Sequence, residues 1–417
     1  MAVLCALIVH NWARRSGAPE KFTGSEQGPV VSQADYRAGN RLTLLESGRE
    51  YFPALLAEIT AARREIFLES YIFAADPAGE AIAAALIEAA ARGVRVQVLV
   101  DGFGGRNFRR DFLPRLAAAG VYALLYRPEL TRFNFRRHRL RRLHRKLAVI
   151  DARVAFVGGI NVVDDDNAPP AMRPRYDYAV RLEGPVVAQV HAAVARMWEI
   201  VVWASFKRRY RIRSLTPPEC PETEGQIAAF LRRDSFRHRN DILNAYLAAI
   251  ASARTEVLIA NAYFLPGFRF RHALRAAARR GVAVTILLQG VSDHPLLQYA
   301  SRTLYASLLA DGIRIFEYRR SFLHAKVAVV DGRWATVGSS NIDPFSLFLA
   351  KEGNLAVRDR DFALELRGRL DAAMASGAVE ILPGDLARLP WHSRLLRWIS
   401  YGAVRALVGL AGFGPRL

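Results

Sequence analysis

Segments of strand-like and helix-like hydrophobicity alternate along the first half of the chain. Residues 65–73 and 94–101 are rich in β-branched and aromatic side chains, which is typical of buried strands. The Ala-rich segment 79–92 between them predicts a helix, which Gly93 ends. A strand, a helix and a strand in succession predict a parallel pair of strands and an α/β sheet. The segments ahead of them predict a short strand, 42–45, and a helix, 51–62.

The second half of the chain repeats this plan. Residues 256–260 and 282–288 predict strands, and residues 270–280 predict the helix between them, which Gly281 ends. Ahead of the first strand, residues 241–253 predict another helix. The same order of helix end, glycine and strand start in both halves indicates an internal duplication.

Composition suggests a division into five segments. Residues 16–40 are rich in Gly, Ser, Gln and Pro, and we expect residues 1–40 to form an irregular N-terminal segment. Prolines and polar residues predict a linker at 206–225. The two repeats then occupy 41–205 and 226–385, and a basic amphipathic segment, 386–417, follows them.

This C-terminal segment has the pattern of a helix that lies at a membrane surface. On a helical wheel Arg394, Arg397 and Arg405 fall on one side. The opposite side is apolar and comprises Leu396, Ile399, Ala403, Leu407 and Leu410. A helix packed on the protein's own core would have a similar pattern, and both interpretations stay open.

The charge of the chain predicts a polyanionic partner. Its 417 residues carry a formal net charge of +20, so nucleic acid or a membrane rich in acidic lipid are the expected partners. The two cysteines form no metal or redox spacing, which favours a reducing compartment. The N-terminal apolar run 2–9 is too short to span a bilayer and lacks a basic lead, so no signal peptide or transmembrane helix is expected.

Two copies of one motif carry the candidate chemistry. Both read H-x-K-x-x-x-x-D, followed after six residues by G-[GS]-x-N. The first copy contains His144, Lys146, Asp151 and Asn161, and the second contains His324, Lys326, Asp331 and Asn341. Only five of the 59 basic residues are lysines, yet both motifs have Lys at the same place. This indicates that a compact ammonium group is required there.

The residue types in the motif suit phosphodiester chemistry. Residues two apart on a strand point to the same face, so each His lies beside its Lys. One neutral imidazole can attack phosphorus, while the second protonates the leaving alkoxide and later deprotonates the incoming hydroxyl. The lysines, with Asn161 and Asn341, would stabilise charge on the phosphate oxygens.

Carboxylates complete the predicted site. Asp177 and Glu352 stand downstream of the two motifs, each at the start of an apolar run, and are our candidates for orienting the histidines. Asp151 and Asp331 belong to the motif and are kept among the candidate catalytic residues. Because both lie at predicted hairpin turns, we interpret them as structural or as partners of a motif lysine. A single motif would be more typical of a surface strand, and the duplication is what argues for a site.

The doubled motif resembles the HKD signature of the phospholipase D superfamily. The resemblance extends from about Arg41 to Arg358. Segments 158–161, 177–185 and 338–344 are similar to bacterial cardiolipin synthases of the kind without N-terminal transmembrane helices.

The resemblance implies a fold and a reaction. The fold would be two α/β/α halves related by a pseudo-twofold axis, each with a mixed, largely parallel sheet flanked by helices. The reaction would use no metal or other cofactor. It would transfer the phosphatidyl group of one phosphatidylglycerol to the hydroxyl of another through a phosphatidyl-histidine, with release of glycerol. His144 would be the nucleophile and His324 the general acid and base. Gly159, where the second copy has Ser339, departs from the pattern and predicts an asymmetric phosphate pocket.

Other functions remain open at this point. The basic and aromatic segment 132–142 could bind single-stranded nucleic acid or acidic lipid head groups. A phospholipase D-type hydrolase, a metal-independent nuclease and a binding protein with a decayed site are the alternatives. We favour an enzyme that is peripheral on the cytoplasmic face of the cell membrane, with nucleic acid not expected as a partner. The sequence leaves open the acceptor alcohol, which histidine attacks, and the oligomeric state.

Overall fold

The chain forms a long mixed sheet flanked by helices. The computed structural model describes residues 36–128, 141–211, 215–217, 224–234, 238–291, 293–344, 346 and 350–408. The strands are β1 Arg37–Glu46, β2 Glu65–Ser70, β3 Arg95–Asp101, β4 Tyr122–Tyr126, β5 Lys146–Ile150, β6 Val154–Gly158, β7 Arg175–Tyr176, β8 Tyr178–Glu183, β9 Gln226–Arg233, β10 Glu256–Asn261, β11 Ala283–Gln289, β12 Arg314–Tyr318, β13 Phe322–Leu323, β14 Lys326–Val330, β15 Trp334–Gly338, β16 Glu352–Arg358 and β17 Ala378–Glu380. The helices are α1 Ser47–Ala61, α2 Pro77–Ala91, α3 Phe108–Asp111, α4 Leu113–Ala118, α5 Val187–Ala204, α6 Asp241–Ser252, α7 Phe268–Arg279, α8 Pro295–Arg302, α9 Tyr305–Ala310, α10 Arg360–Gly377, α11 Pro383–Ala387 and α12 Trp391–Val408.

The order of strands in the sheet reflects the duplication. From one edge to the other it is β17-β12-β11-β10-β14-β15-β16-β9-β1-β8-β6-β5-β2-β3-β4. Apart from β17, the order on one side of the β1–β9 pair mirrors the order on the other, so β2 corresponds to β10 and β5 to β14. The two halves therefore share one topology and meet through the antiparallel pairing of β1 with β9.

The α/β class and the parallel pairs predicted from the sequence are confirmed. β2 pairs parallel to β3, and β10 pairs parallel to β11. Gly93 and Gly281 end the preceding helices with φ values of 88° and 87°, in the region that favours glycine.

Two details of the prediction are wrong. The sheet is not largely parallel, because β5, β6, β8 and β1 pair antiparallel, as do β14, β15, β16 and β9. Tight hairpins join β5 to β6 and β14 to β15, and a hairpin forces its strands to run antiparallel. The predicted irregular segment 1–40 also overlaps a strand, since β1 begins at Arg37.

Three hydrophobic clusters cover the faces of the sheet. One packs α1 and α2 against the N-terminal half, and another packs α6 and α7 against the C-terminal half. The third is shared, because α5, α10 and strands of both halves contribute to it. Alternation along β5 is clear: Leu147 and Val149 enter the shared cluster, whereas Ala148 and Ile150 enter the N-terminal one. Among the helices within the described ranges, none is long and apolar enough to cross a membrane.

Candidate active site

Each motif occupies the start of a strand in the middle of its half. Lys146 begins β5 and Lys326 begins β14, and each histidine lies two residues ahead of its lysine. Lys146 Nζ donates to the carbonyl oxygen of His144 at 2.6 Å, and Lys326 Nζ donates to that of His324. These contacts hold each ammonium group beside its own imidazole, as the two-residue spacing predicts.

Short backbone pairings between the halves bring the two motifs together. The segment before His324 pairs with β7, and His324 N donates to the carbonyl oxygen of Tyr176 at 2.7 Å. In the equivalent place, His144 N donates to the carbonyl oxygen of Lys351 at 2.9 Å. Each histidine is thus fixed next to the residue that precedes the carboxylate of the other half.

The carboxylates consequently orient the histidines across the halves. His144 Nδ1 lies 3.0 Å from both carboxylate oxygens of Glu352, and His324 Nδ1 lies 2.6 Å from Asp177 Oδ2. An ionised carboxylate only accepts hydrogen bonds, so each Nδ1 carries the proton. This leaves Nε2 of each ring as the atom available for chemistry.

Burial and the neighbouring charges set the protonation of this cluster. Burial lowers the pKa of His144, with Lys146 adding to the effect and Glu352 opposing it. Burial, Lys326 and Lys146 hold the pKa of His324 well below its usual value, and His144 contributes in the same direction. The two histidines and the two lysines therefore lie within one electrostatic cluster, because the charge of each affects the pKa of the others.

The remaining ionisable groups of the cluster are also perturbed. Burial lowers the pKa of Lys146 to about 7 and raises that of Asp177 to about 6, where Lys326 opposes the rise. Burial alone would raise the pKa of Glu352, but His144, Lys146 and Ser339 outweigh it, and the pKa lies below its usual value. Both carboxylates are therefore ionised at neutral pH, as orienting groups must be.

The two asparagines and the Gly/Ser difference follow β6 and β15, the strands that pair with the two motif strands. Asn161 is buried and its Oδ1 accepts from Ile72 N at 3.1 Å. Asn341 is buried too, and its Oδ1 has no partner within the described residues. Ser339 Oγ donates to Glu352 Oε2 at 2.6 Å, so this hydroxyl binds the orienting carboxylate, where the sequence suggested a phosphate contact.

Gly159 has a different reason for lacking a side chain. A Cβ atom at this position would lie 2.3 Å from Asp177 Oδ1, closer than any side chain tolerates. The carboxylate of Asp177 therefore occupies the space that a serine would need. The two halves therefore differ in how this position meets the orienting carboxylate, and the asymmetric phosphate pocket stays a prediction.

The motif aspartates are not part of the cluster, and their assignment as catalytic residues needs correction. Asp151 and Asp331 follow the far ends of β5 and β14, at hairpin positions with φ of 51° and 52°. Asp151 accepts from the backbone N of Arg63, Arg64 and Glu65 at 2.7–2.9 Å. Each motif strand is five residues long, with the lysine at its start and the aspartate after its end. The aspartates therefore lie too far along the strand to contact the motif lysines. Their role is to fix the start of the neighbouring strand.

Asp331 makes the equivalent contacts in the second half. Its carboxylate accepts from the backbone N of Arg254, Thr255 and Glu256 at 2.8–3.0 Å. Desolvation raises its pKa, but these hydrogen bonds outweigh that effect and hold the pKa below its usual value. The Asp331 carboxylate thus accepts three backbone N–H groups at the start of β10.

Replacing Asp331 with alanine should lower the free energy of unfolding by about 2 kcal/mol, because several backbone donors lose their acceptor. Urea unfolding of the variant and the wild type measures this difference. Activity per folded molecule should stay near the wild-type value. A variant that is fully stable but inactive would return Asp331 to the catalytic residues.

Aromatic side chains that the sequence analysis did not single out line the histidines. The Tyr71 ring lies 5.0 Å from the His144 ring, and Lys146 Nζ lies 5.5 Å from the centre of the Tyr71 ring. The Phe322 ring stacks on His324 at 5.7 Å. Tyr71 follows the carboxyl end of β2. Binding sites in parallel sheets lie at the carboxyl ends of strands, and from this position Tyr71 could have been predicted as a site residue. The described residues contain no group of His, Cys, Asp and Glu that could hold a metal ion.

The chain is similar to known proteins over most of its length. The sequence matches a family model described as cardiolipin synthase, PLD-like domain, over residues 55–198 and 246–374, and each matched segment contains one motif. It is 39% identical over 392 residues to cardiolipin synthase B of Escherichia coli (strain K12), an alignment that covers 92% of both chains. It is 32% identical over 376 residues to cardiolipin synthase A of Proteus mirabilis (strain HI4320), covering 87% of this chain and 75% of that one.

Two solved structures share the fold. The phosphatidylserine synthase of Haemophilus influenzae Rd KW20 superposes with a TM-score of 0.64 at 13% identity, over 92% of this chain and 96% of that one. The polyphosphate kinase of Porphyromonas gingivalis superposes with a TM-score of 0.54 at 15% identity, over 89% of this chain and 53% of that one. At such low identity these likenesses concern the fold alone.

Proposed function

The chain belongs to the family of cardiolipin synthases with phospholipase D-like domains, and from this premise we propose that it joins two phosphatidylglycerol molecules into cardiolipin with release of glycerol. The observation that carries the proposal is the crosswise pairing of His144 with Glu352 and of His324 with Asp177. This arrangement leaves two Nε2 atoms, one from each half, free to act on a single phosphorus atom.

The first step forms a covalent intermediate. His144 Nε2 attacks the phosphorus of the donor phosphatidylglycerol, and the bond from phosphorus to the glycerol oxygen breaks. His324 Nε2 gives a proton to that oxygen, and free glycerol leaves. Glu352 stabilises the positive charge that develops on His144, since its carboxylate accepts from Nδ1 at 3.0 Å.

His324 must carry the transferred proton when the donor is bound. In the empty site, burial and the two lysines disfavour the charged imidazole. A bound phosphodiester brings a negative charge that opposes the lysine charges and so raises the pKa of His324. Asp177, 2.6 Å from His324 Nδ1, favours the same protonated state.

The second step reverses these roles. The neutral His324 takes the proton from the terminal hydroxyl of the acceptor phosphatidylglycerol, and that oxygen attacks phosphorus. The bond from phosphorus to His144 breaks, and cardiolipin leaves. Lys146 and Lys326 stabilise the charge on the non-bridging oxygens in both steps, and we assign Asn161 and Asn341 to the same oxygens.

A hydrolase uses the same first step and admits water in the second. One experiment separates the candidates: the pure protein is incubated without divalent metal, either with phosphatidylglycerol vesicles or with single-stranded DNA. Cardiolipin with an equal amount of free glycerol supports the proposal. Phosphatidic acid as the main product would make the protein a phospholipase D, and cut DNA would make it a nuclease.

We also propose that the protein acts as a peripheral enzyme on an acidic membrane surface, at the cytoplasmic face. The C-terminal helix α12 supports this. Its buried Ser400 and Val404 face the protein, and its carbonyl at Arg397 accepts from Thr303 Oγ1 at 3.1 Å next to α8. Its other face exposes large apolar side chains: Trp391 75%, Leu395 50%, Leu396 44%, Trp398 53%, Ile399 59% and Leu407 51%.

The helix thus combines the two interpretations left open by the sequence. It packs on the protein with one face and leaves an apolar face with two tryptophans uncovered, which is typical of interfacial helices. Arg397 lies half-buried on the packed side, where burial lowers its pKa, so it does not belong to the exposed basic face expected from the helical wheel. Leu410 and residues 132–140 of the basic segment 132–142 lie outside the described residues.

Replacing Trp398 and Ile399 together with serine should weaken binding to phosphatidylglycerol vesicles by about tenfold or more, because both side chains leave water on binding. Vesicle co-sedimentation measures the change, and deletion of 391–417 should weaken binding further. The matched control is Leu364→Ser, which removes an exposed apolar side chain on α10. Undiminished binding of the double variant would exclude α12 from the membrane contact.

A further inference from the structure

A second group of cations lies beside the catalytic cluster, and the reaction steps above do not use it. Arg127 follows β4, Arg233 ends β9, and Lys351 directly precedes Glu352 at the start of β16. We call these three residues the cation group.

Backbone contacts tie the cation group to the His144 side of the active site. Lys351 N donates to the carbonyl oxygen of Arg142 at 2.7 Å, and its own carbonyl accepts from His144 N at 2.9 Å. Arg233 lies directly opposite Glu352 in the β9–β16 pair, and its Nη1 donates to the carbonyl oxygen of Ala350. Residues opposite each other in a sheet share a face, so Arg233 lies on the face of the carboxylate that holds His144.

Part of the hydrogen-bonding capacity of this group is not used. Arg233 is only 4% exposed, yet its Nε has no partner within the described residues. Arg127 Nη1 is likewise buried without a partner there, and its guanidinium lies 5.3 Å from the centre of the Tyr126 ring. In the same described ranges no hydrogen bond or ion pair involves Lys351 Nζ. Buried cationic donors without acceptors are costly unless a ligand supplies the acceptors.

The charges within the group repel one another. Burial lowers the pKa of Lys351 to about 8, and Arg145 acts in the same direction, as do Arg127 and Arg233. Asp234 opposes them, but its Oδ1 also accepts from His238 N at 3.2 Å. A bound anion would relieve both the repulsion and the missing hydrogen bonds.

We propose that Arg127, Arg233 and Lys351 bind the phosphate group of the acceptor phospholipid. The inference rests on the proposed function and adds the acceptor site to it. The attacking hydroxyl of phosphatidylglycerol is three carbons from its own phosphate, so this second anion must lie next to the phosphate on His144. The group occupies that side of the cluster, and water or a neutral alcohol would gain nothing from it.

A competition between two acceptors tests the proposal. The enzyme is given phosphatidylglycerol vesicles in buffer that contains ethanol, and two products are measured together: cardiolipin from the anionic acceptor and phosphatidylethanol from the neutral one. The Lys351→Gln variant should lower the ratio of cardiolipin to phosphatidylethanol by about tenfold, the value of one charge-assisted contact. Arg127→Gln should lower it in the same direction.

Two further variants make the comparison specific. Lys351→Arg keeps the charge and should recover most of the wild-type ratio. Lys207→Gln removes an ammonium group outside the cation group, next to Tyr210, and should leave the ratio unchanged. An unchanged ratio in Lys351→Gln, or an equal fall of both products, would overturn the proposal.

The remaining outcomes separate this inference from the function on which it rests. A wild-type enzyme that forms phosphatidylethanol but no cardiolipin would refute the proposed function itself. Calorimetric binding of inorganic phosphate that is lost in Lys351→Gln, with an unchanged product ratio, would assign the cation group to free phosphate and overturn the acceptor site.

Discussion

His144→Ala and His324→Ala should each lower the rate of cardiolipin formation by on the order of 10⁴-fold, because groups that act as one catalytic unit fail together. His144→Ala removes the nucleophile. His324→Ala removes the side chain that, in the proposed scheme, gives a proton to the leaving alcohol and takes one from the acceptor alcohol. Initial rates on phosphatidylglycerol vesicles measure the loss. The control is His272→Ala, an exposed histidine on α7, which should retain the wild-type rate.

The two histidine variants should differ in the covalent intermediate. With a donor whose leaving alcohol is already acidic, such as a phosphatidyl-nitrophenol, the first step needs no proton from His324. His324→Ala should then release nitrophenol in a burst and retain lipid on the protein after acid-free denaturation, whereas His144→Ala should do neither. Labelled lipid on His144→Ala and none on His324→Ala would exchange the two roles. Near-normal turnover of either variant would contradict the two-histidine scheme.

Glu352→Gln and Asp177→Asn should each lower the rate by up to about 10⁴-fold, the loss seen when the carboxylate partner of a catalytic histidine becomes an amide. An amide offers both a donor and an acceptor, so it no longer holds the proton on Nδ1 or stabilises the charged ring. The amide variants conserve shape, and thermal unfolding should confirm that they fold. The control is Glu365→Gln, an exposed carboxylate on α10 that pairs with Arg369 at 2.8 Å.

The crosswise geometry makes this prediction more specific. Glu352 contacts His144, so Glu352→Gln should slow the nitrophenol burst, which reports the attack. Asp177 contacts His324, so Asp177→Asn should leave the burst in place and slow the transfer to the acceptor. If Asp177→Asn slowed the burst and Glu352→Gln did not, the assignment of the nucleophile to His144 would be wrong.

Much of the fold was predictable because local patterns determined it. The strand and helix patterns at 65–101 and 256–288 correspond to β2-α2-β3 and β10-α7-β11. Glycines ended the helices where a positive φ was needed, as at Gly93. The hairpin turns at Asp151 and Asp331 were also visible in the sequence, and they make the motif strands antiparallel. The largely parallel sheet was implied by the family resemblance and not by these turns.

The candidate site was predictable as a set of residue types. Two copies of His and Lys at a spacing of two residues place an imidazole beside an ammonium group, and the structure has each Lys Nζ on the carbonyl of its own His. The aspartates were kept among the candidate catalytic residues because they belong to the motif, although their hairpin positions already favoured a structural role. Their contacts to backbone N atoms of a neighbouring strand appear only once the strands are paired.

By itself, the sequence determined the duplicated α/β plan and the pair of His-Lys units, because these depend on the period of side chains along one strand or helix. Only the tertiary structure decided which carboxylate serves which histidine. Glu352 is 208 residues from His144, and Asp177 is 147 residues from His324. Such partners are selected by the pairing of β7 with β13 and of Leu143 with Lys351, contacts between halves that no local pattern encodes.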